Sequence, residues 1–286
     1  MNLPDLRAFF VDADGSLKLP AISFAIIGLA AAVYITLERF FPYDKGQRLL
    51  RKGWFTDFFW YTIVQSYLMG LVIFGLIGVI DQYTGLTQKG LVSGWALWQQ
   101  AIFFFVLHDF YIYWFHRAQH RFPLLWRTHE AHHSVRDVDW LAGSRSHPIE
   151  ILINQTVEFA PIILLGAAPE IAIFKGTIDA VWGMYIHSNI NVRSGPLQYL
   201  INGPEMHRWH HSREYIGIGM NYGTKLAIWD YIFGTAYRPD KKPPGYGLSE
   251  PFPDNYFRQL SYAFRSFKAE TADVEAGQLE ETAKAK

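Results

Sequence analysis

The stretch HDFYIYWFHRAQHRFPLLWRTHEAHHS, residues 108–134, holds six histidines among aromatic and apolar neighbours. Their spacing decides how the whole chain is read. His116 and His120 are four apart, His129, His132 and His133 follow as H-x2-H-H, and the same pattern returns at His207, His210 and His211. Residues three or four apart share a helix face, so each cluster presents its imidazoles in one direction, as a metal ion requires. A single histidine on an apolar face is usually a core residue bonded to a carbonyl; three clusters with ligand spacing reverse that expectation. A pH sensor and a solvated cationic surface are the blander alternatives.

So many nitrogens exceed what one ion takes, since a structural zinc uses four ligands and a catalytic zinc three plus water. Two ions with four or five histidines each is the natural partition, and imidazole suits iron, zinc, copper and nickel alike. The chain has no cysteine, which excludes thiolate sites, disulfides and cysteine nucleophiles. The H-E-x-x-H arrangement of zinc peptidases is absent too, because His129-Glu130 is followed by Ala131-His132, one position too short.

The rest of the chain says where such a site would sit. Half of the 286 residues are hydrophobic, and 26 basic residues balance 26 acidic ones, so no net field draws the protein to nucleic acid. Residues 19–37 and 58–80 have the length and apolarity of membrane spans. A third block runs over 95–115, apolar until it meets His108 and Asp109, and 149–190 reads as a membrane hairpin broken at Ala-Ala-Pro-Glu. The expected fold is all-α: a polytopic membrane helical bundle of about four or five membrane helices with a cytoplasmic histidine-rich helical cap. One domain is expected over 1–268, and a polar, disordered tail over 269–286. Lys45, Arg48, Arg51 and Lys52 crowd the first loop, whereas 81–94 holds one acid and one lysine. The positive-inside rule makes the first loop cytoplasmic and returns the third span to the cytoplasm where the clusters begin. The first block starts too far along, and lacks the basic start and cleavage site, to resemble a signal peptide.

Three residues stand beside the clusters. Asp109 precedes His116 by seven and His120 by eleven, along the same stripe, where it is expected to orient a ligand histidine or to pair with an arginine. His108, eight before His116, lies about 80° off that stripe and stays outside the ligand set. His147 precedes Pro148, which disfavours helix at that position; it orients a ligand or substrate, or caps the next helix.

HDFYIYWFHRAQH, LLWRTHEAHHS, HSNINVRSGPLQYLINGPEMHRWHHS and NYGTKLAIWDYIFGT together resemble the fatty acid hydroxylase and sterol desaturase superfamily of integral membrane di-iron enzymes. The likeness covers 95–237, with the clusters in the family's order. It implies a di-iron centre facing the cytoplasm, oxygen activation, and hydroxylation or desaturation of a lipid. It also implies that His116, His120, His129, His132, His133, His207, His210 and His211 hold iron, with His187 a ninth ligand. Some relatives have a further histidine where this chain has Gly183, which leaves one coordination position to water or another side chain.

Iron and oxygen together can remove a hydrogen atom from an unactivated C–H bond while the protein positions the chain. Hydroxylation and desaturation share that abstraction. No haem-binding module, no G-x-G-x-x-G opening a βαβ unit and no cluster-binding cysteines are found, so a separate reductase, cytochrome or ferredoxin is the expected electron donor. Relatives similar in the NYG and IWDYIFGT segments are alkylglycerol monooxygenases, which use a reduced pterin. The rivals are a metal transporter, which would place its ligands within the spans, and a zinc-dependent membrane hydrolase.

Overall fold

Pro20 sits in the first turn of the first helix, where its missing N–H costs nothing, and Pro42 stands just past the helix end. In the computed structural model, which describes residues 18–214 and 219–266, this helix is α1 (Leu19–Phe40) and buries only Glu38. Its apolar side chains face outward, Phe24 at 69% exposure and Leu29 at 66%. α2 spans Thr56–Thr84. It opens as a π-helix over Thr56–Gln65, whose wide turn turns Asp57, Tyr61 and Gln65 inward. α1 and α2 are long and apolar enough to cross a bilayer. The expected tail lies outside the described residues.

α3 (Leu97–Arg121) runs past the expected boundary at 115. Gln100, Phe104, His108, Ile112, His116 and Gln119 are buried, a stripe of three- and four-residue steps. Trp98, Ile102, Val106 and Phe110 face outward. Phe122 is extended before Pro123, which ends the helix and starts α4 (Pro123–His133). Every residue of α4 from Arg127 to His133 is buried, because α4 folds back against α3 beneath α9, a short helix at Tyr256–Tyr262.

α5 (Pro148–Leu164) and α6 (Pro169–His187) form a hairpin with its turn at 165–168. α6 packs on α1, α5 on α2, and α3 against both members of the hairpin. α7 (Pro204–His210) and α8 (Ile228–Ile232) complete the order. The structure is all-helical, with only isolated bridges such as Ile201–Leu226 among the described residues. Val92, Phe104, Ile162 and Ile171 make an apolar core toward the start of α3, and the histidines gather at the other end.

Candidate metal centre

Five of the histidines converge from three helices: His116 and His120 from α3, His129 and His133 from α4, His210 from α7. Four more form a second group: His132 from α4, His187 from α6, His207 from α7 and His211 just past its end. Within each group the candidate ligand atoms all lie within 4.8 Å of one another. The groups adjoin, with the His133 and His211 rings 4.6 Å apart and those of His129 and His132 stacked at 4.8 Å.

The hydrogen bonds fix the protons on several rings. His116 Nδ1–H donates to Tyr222 O at 2.9 Å and His129 Nδ1–H to Glu150 Oε1 at 3.0 Å. Both rings therefore have bare Nε2 atoms, and these face each other at 3.1 Å. In the second group His132 Nδ1–H donates to Arg145 O and His187 Nδ1–H to Gly183 O, again leaving two bare Nε2 atoms, 3.2 Å apart. His210 spends Nδ1–H on Met220 O and buries Nε2 with no partner. Lone pairs opposed at such distances repel unless a cation lies between them. Two nitrogens at right angles on one ion, each about 2.1 Å from it, are about 3.0 Å apart, so the donor set fits a metal in each group. Burial pushes His129, His132, His133, His207, His210 and His211 well below the usual 6.5, and neighbouring rings push them further. All are neutral, as ligands must be.

The surroundings hold these rings in place. Asp57, from the π-turn of α2, takes Arg145 Nε on one oxygen and Arg51 Nη1 at 2.7 Å on the other. Arg145 thereby presents its carbonyl to His132. Gly143 presses on His187, where a Cβ would lie 2.6 Å from Nδ1. Asp230 accepts the backbone N–H of Tyr222 and Gly223, both at 2.8 Å, and so fixes the carbonyl that receives His116.

Among the described residues, Asp109 bonds no histidine and pairs with no arginine. It accepts from the backbone N–H of Lys225 and Leu226 and from Trp229 Nε1 at 2.9 Å, so it acts on the same 222–226 loop. The acid that does bond a histidine is Glu150, which spacing alone does not reveal. His147 accepts from Ile149 N at the start of α5, and its Nε2–H donates to Leu260 O; it caps a helix and ties it to the end of α9. His108 lies apart, beside Lys175, Glu158 and Asp179. A cavity of about 350 Å³ reaches from His116, His129, His132 and His187 to that cluster. An apolar groove of about 570 Å³ between α1, α2, α5 and α6 shares Phe159 and Gly176 with it.

With this geometry established, residues 101–235 match the family model described as fatty acid hydroxylase. Those residues resemble a fatty acid hydroxylase domain over just under half of the chain. The match encloses all nine clustered histidines and the two aspartates that hold the 222–226 loop. An ornithine lipid hydroxylase of Rhizobium tropici is 32% identical over 171 residues, 59% of this chain and 52% of that protein. Human alkylglycerol monooxygenase is 31% identical over 156 residues, 54% of this chain and 34% of the human protein. A very-long-chain aldehyde decarbonylase of Oryza sativa is 32% identical over 138 residues, 48% of this chain and 51% of the rice protein. The chain thus spans about half the length of the bacterial and plant relatives and about a third of the human one. No solved structure matches it.

Proposed function

We propose that the protein is a membrane-bound di-iron oxygenase that uses O2 to hydroxylate a C–H bond of a membrane lipid. The observation that carries this is the pairing of bare Nε2 atoms in two adjoining histidine groups at the end of a cavity that borders an apolar groove. His116, His120, His129, His133 and His210 would hold one iron, and His132, His187, His207 and His211 the other. The iron pair, when bound, supplies the reducing chemistry that activates oxygen toward an unactivated C–H bond. The chain's own residues do the rest. Glu150 and the carbonyls of Tyr222, Arg145, Gly183 and Met220 orient the rings, and burial keeps them unprotonated.

Hydroxylation is favoured over desaturation by the ornithine lipid hydroxylase and the alkylglycerol monooxygenases among the relatives. A lipid tail is the substrate class that fits the groove and its outlet at Phe159 and Gly176. We place the histidines on the cytoplasmic side of a multi-pass bundle. The basic loop at 44–52 is tied to the histidine end through Arg51 to Asp139 and through Gln47 to Val138 O, whereas the 87–92 loop bonds the far turn at Leu165 and Ile163. Electrons come, in this reading, from a separate reductase, cytochrome or ferredoxin.

The test is metal analysis of purified protein with lipid profiling under oxygen and under argon. Iron in both histidine groups and a lipid product carrying one oxygen atom from O2 is the expected result. Zinc at a single group, with full turnover under argon, overturns the proposal. Dependence on added reduced pterin, in place of an electron-transfer protein, would correct the electron source alone.

A further inference from the structure

Just past His187 the chain crosses the end of α1: Tyr43 N donates to Asn189 O and Asn191 N to Phe41 O, both at 2.8 Å. A cavity of about 650 Å³ opens there, outside the histidine groups, with Tyr43 on one wall and Glu205 and Trp209 of α7 on another. Four cations line it: Arg193, Arg238, Lys241 and Lys242. A fifth, Arg208, is buried behind Tyr43, its guanidinium carbon 3.7 Å from the ring centroid, and Lys242 Nζ lies 4.0 Å over the same ring.

These charges do not cancel. Glu205 and Asp240 are the acids on the wall, and Asp44 holds Lys242 at 3.2 Å. Five cations against three acids leave a surplus of two. Glu205 also spends one oxygen on Ser194 N at 2.7 Å. Among the described residues, Arg193, Arg208, Arg238 and Lys241 form no ion pair. Arg238 rests on Gly195 O and the Tyr199 ring, Lys241 on the Trp209 ring, and Arg208 on the carbonyls of Ser188 and Ile190. The cavity therefore offers charged donors with no anion of their own, of the kind that phosphate oxygens accept from. Gln198, buried in the same wall, leaves Oε1 without a partner, an acceptor that suits a hydroxyl beside the phosphate.

The rim is apolar. Phe40 and Phe41 at the end of α1, Leu197 and Leu200 in the 195–200 turn and Ile232 at the end of α8 are all exposed. Phe41 meets the cavity wall through Asn191, and Leu200 O receives Ala227 N just before α8. Where a helix long enough to cross a bilayer ends, cations above exposed apolar side chains sit at the level of lipid phosphates. A lipid accounts for both the cations and the rim.

We propose that Arg193, Arg238 and Lys241 bind the phosphate headgroup of an anionic phospholipid in the leaflet at the histidine end, with its tails against Phe40, Leu197 and Leu200. The lipid rests on α1 crossing a membrane, part of the reading above; the surplus of charge does not.

The experiment is native mass spectrometry of the full chain in detergent micelles, titrated with palmitoyl-oleoyl phosphatidylglycerol or phosphatidylcholine. Two surplus cations near a lipid phosphate should favour the anionic lipid by about tenfold or more, with one molecule held per chain. Arg193→Gln with Arg238→Gln should erase most of that preference, about fivefold for each cation, at unchanged metal content. Lys45→Gln with Arg48→Gln, which removes as much charge from the neighbouring loop, should leave it within twofold. Equal binding of the two lipids leaves the cations to an acidic protein surface and overturns the site. An equal loss in the Lys45 and Arg48 double variant reduces the effect to a diffuse field and overturns it as well. So does displacement of the lipid by millimolar glycerol phosphate, which would make a soluble phosphate ester the ligand. Carbonate extraction of membranes tests the membrane reading by itself: a chain that stays in the pellet yet shows no preference sinks the site alone, and a chain that is extracted sinks the membrane reading.

Discussion

Replacing Glu150 by leucine removes the one carboxylate that, among the described residues, bonds a clustered histidine. Its Oε1 accepts His129 Nδ1–H at 3.0 Å, with Glu150 9% and His129 3% exposed. A buried hydrogen bond to a charged acceptor is worth about 1.5–3 kcal/mol. At about 1.4 kcal/mol per factor of ten, the loss should weaken metal binding at the five-histidine group by about 10- to 100-fold, the range usual for a partner that orients a metal-bound histidine. Glu150→Gln keeps an acceptor oxygen and loses the charge, so it should fall between leucine and the unaltered protein. Competition of the metal-loaded protein against a chelator series, with metal counted per chain, measures the effect. The four-histidine group serves as an internal control, since none of its rings bonds Glu150. Should Glu150→Leu hold metal within twofold of the unaltered protein, the tautomer argument for His129 and His116 fails, and with it the case for a cation between them.

Other perturbations probe the supports. Asp57→Ala leaves Arg51 and Arg145 buried without their shared carboxylate; a loss of about 3–5 kcal/mol in stability is expected, read by thermal melting, and an unchanged melt would show that the pair is hydrated. Asp109→Leu strands the N–H groups of Lys225, Leu226 and Trp229, and hydrogen exchange across 222–229 should accelerate while the helices stay protected. Metal-free protein should lose stability as pH falls below about 6.5. Burial depresses His129, His132, His133, His207, His210 and His211 in the folded state, so the unfolded chain binds more protons there, about 1.4 kcal/mol per pH unit for each ring; a flat melting profile from pH 7 to pH 5 would contradict this. Gly176→Phe fills the junction of groove and cavity beside Phe159 and should block lipid turnover with metal content unchanged.

The gathering of the clustered histidines was legible because imidazoles that converge on one point recur every three or four residues on one helix face, and α3, α4 and α7 keep that face inward. Their supports were not. Glu150 and Arg145 meet His129 and His132 only through the turn of chain between α4 and α5, a pairing no local period records. Asp109 stands out in the sequence as an acid in an apolar block, but its partners come from a loop more than a hundred residues away, where free backbone N–H groups offer a carboxylate more than a histidine already served by Tyr222 O. The π-turn of α2 was equally hidden, although Asp57 and Gln65 at either end of an apolar run hinted at an inward polar face. The hydropathy of 19–37 and 58–80 corresponds to two helices long and apolar enough to cross a bilayer, α1 and α2; α3 is less apolar because its inward face carries the histidines.

The repeated interval of eight residues on α3, α5 and α6, from His108 to His116, from Glu150 to Glu158 and from Asp179 to His187, has a structural consequence of its own. Apolar helices packed in an apolar medium have little to fix their axial register, since a slide of one residue, about 1.5 Å with a turn of about 100°, exchanges one greasy contact for another. Here such a slide of any one helix would break two polar layers at once. His116, Glu150 and His187 would leave the histidine groups, and His108, Glu158 and Asp179 would leave the Lys175 ammonium. The lysine layer needs no metal to form. It can therefore hold the three helices in the register that brings the imidazoles together, a use of buried polar groups for specificity more than for stability.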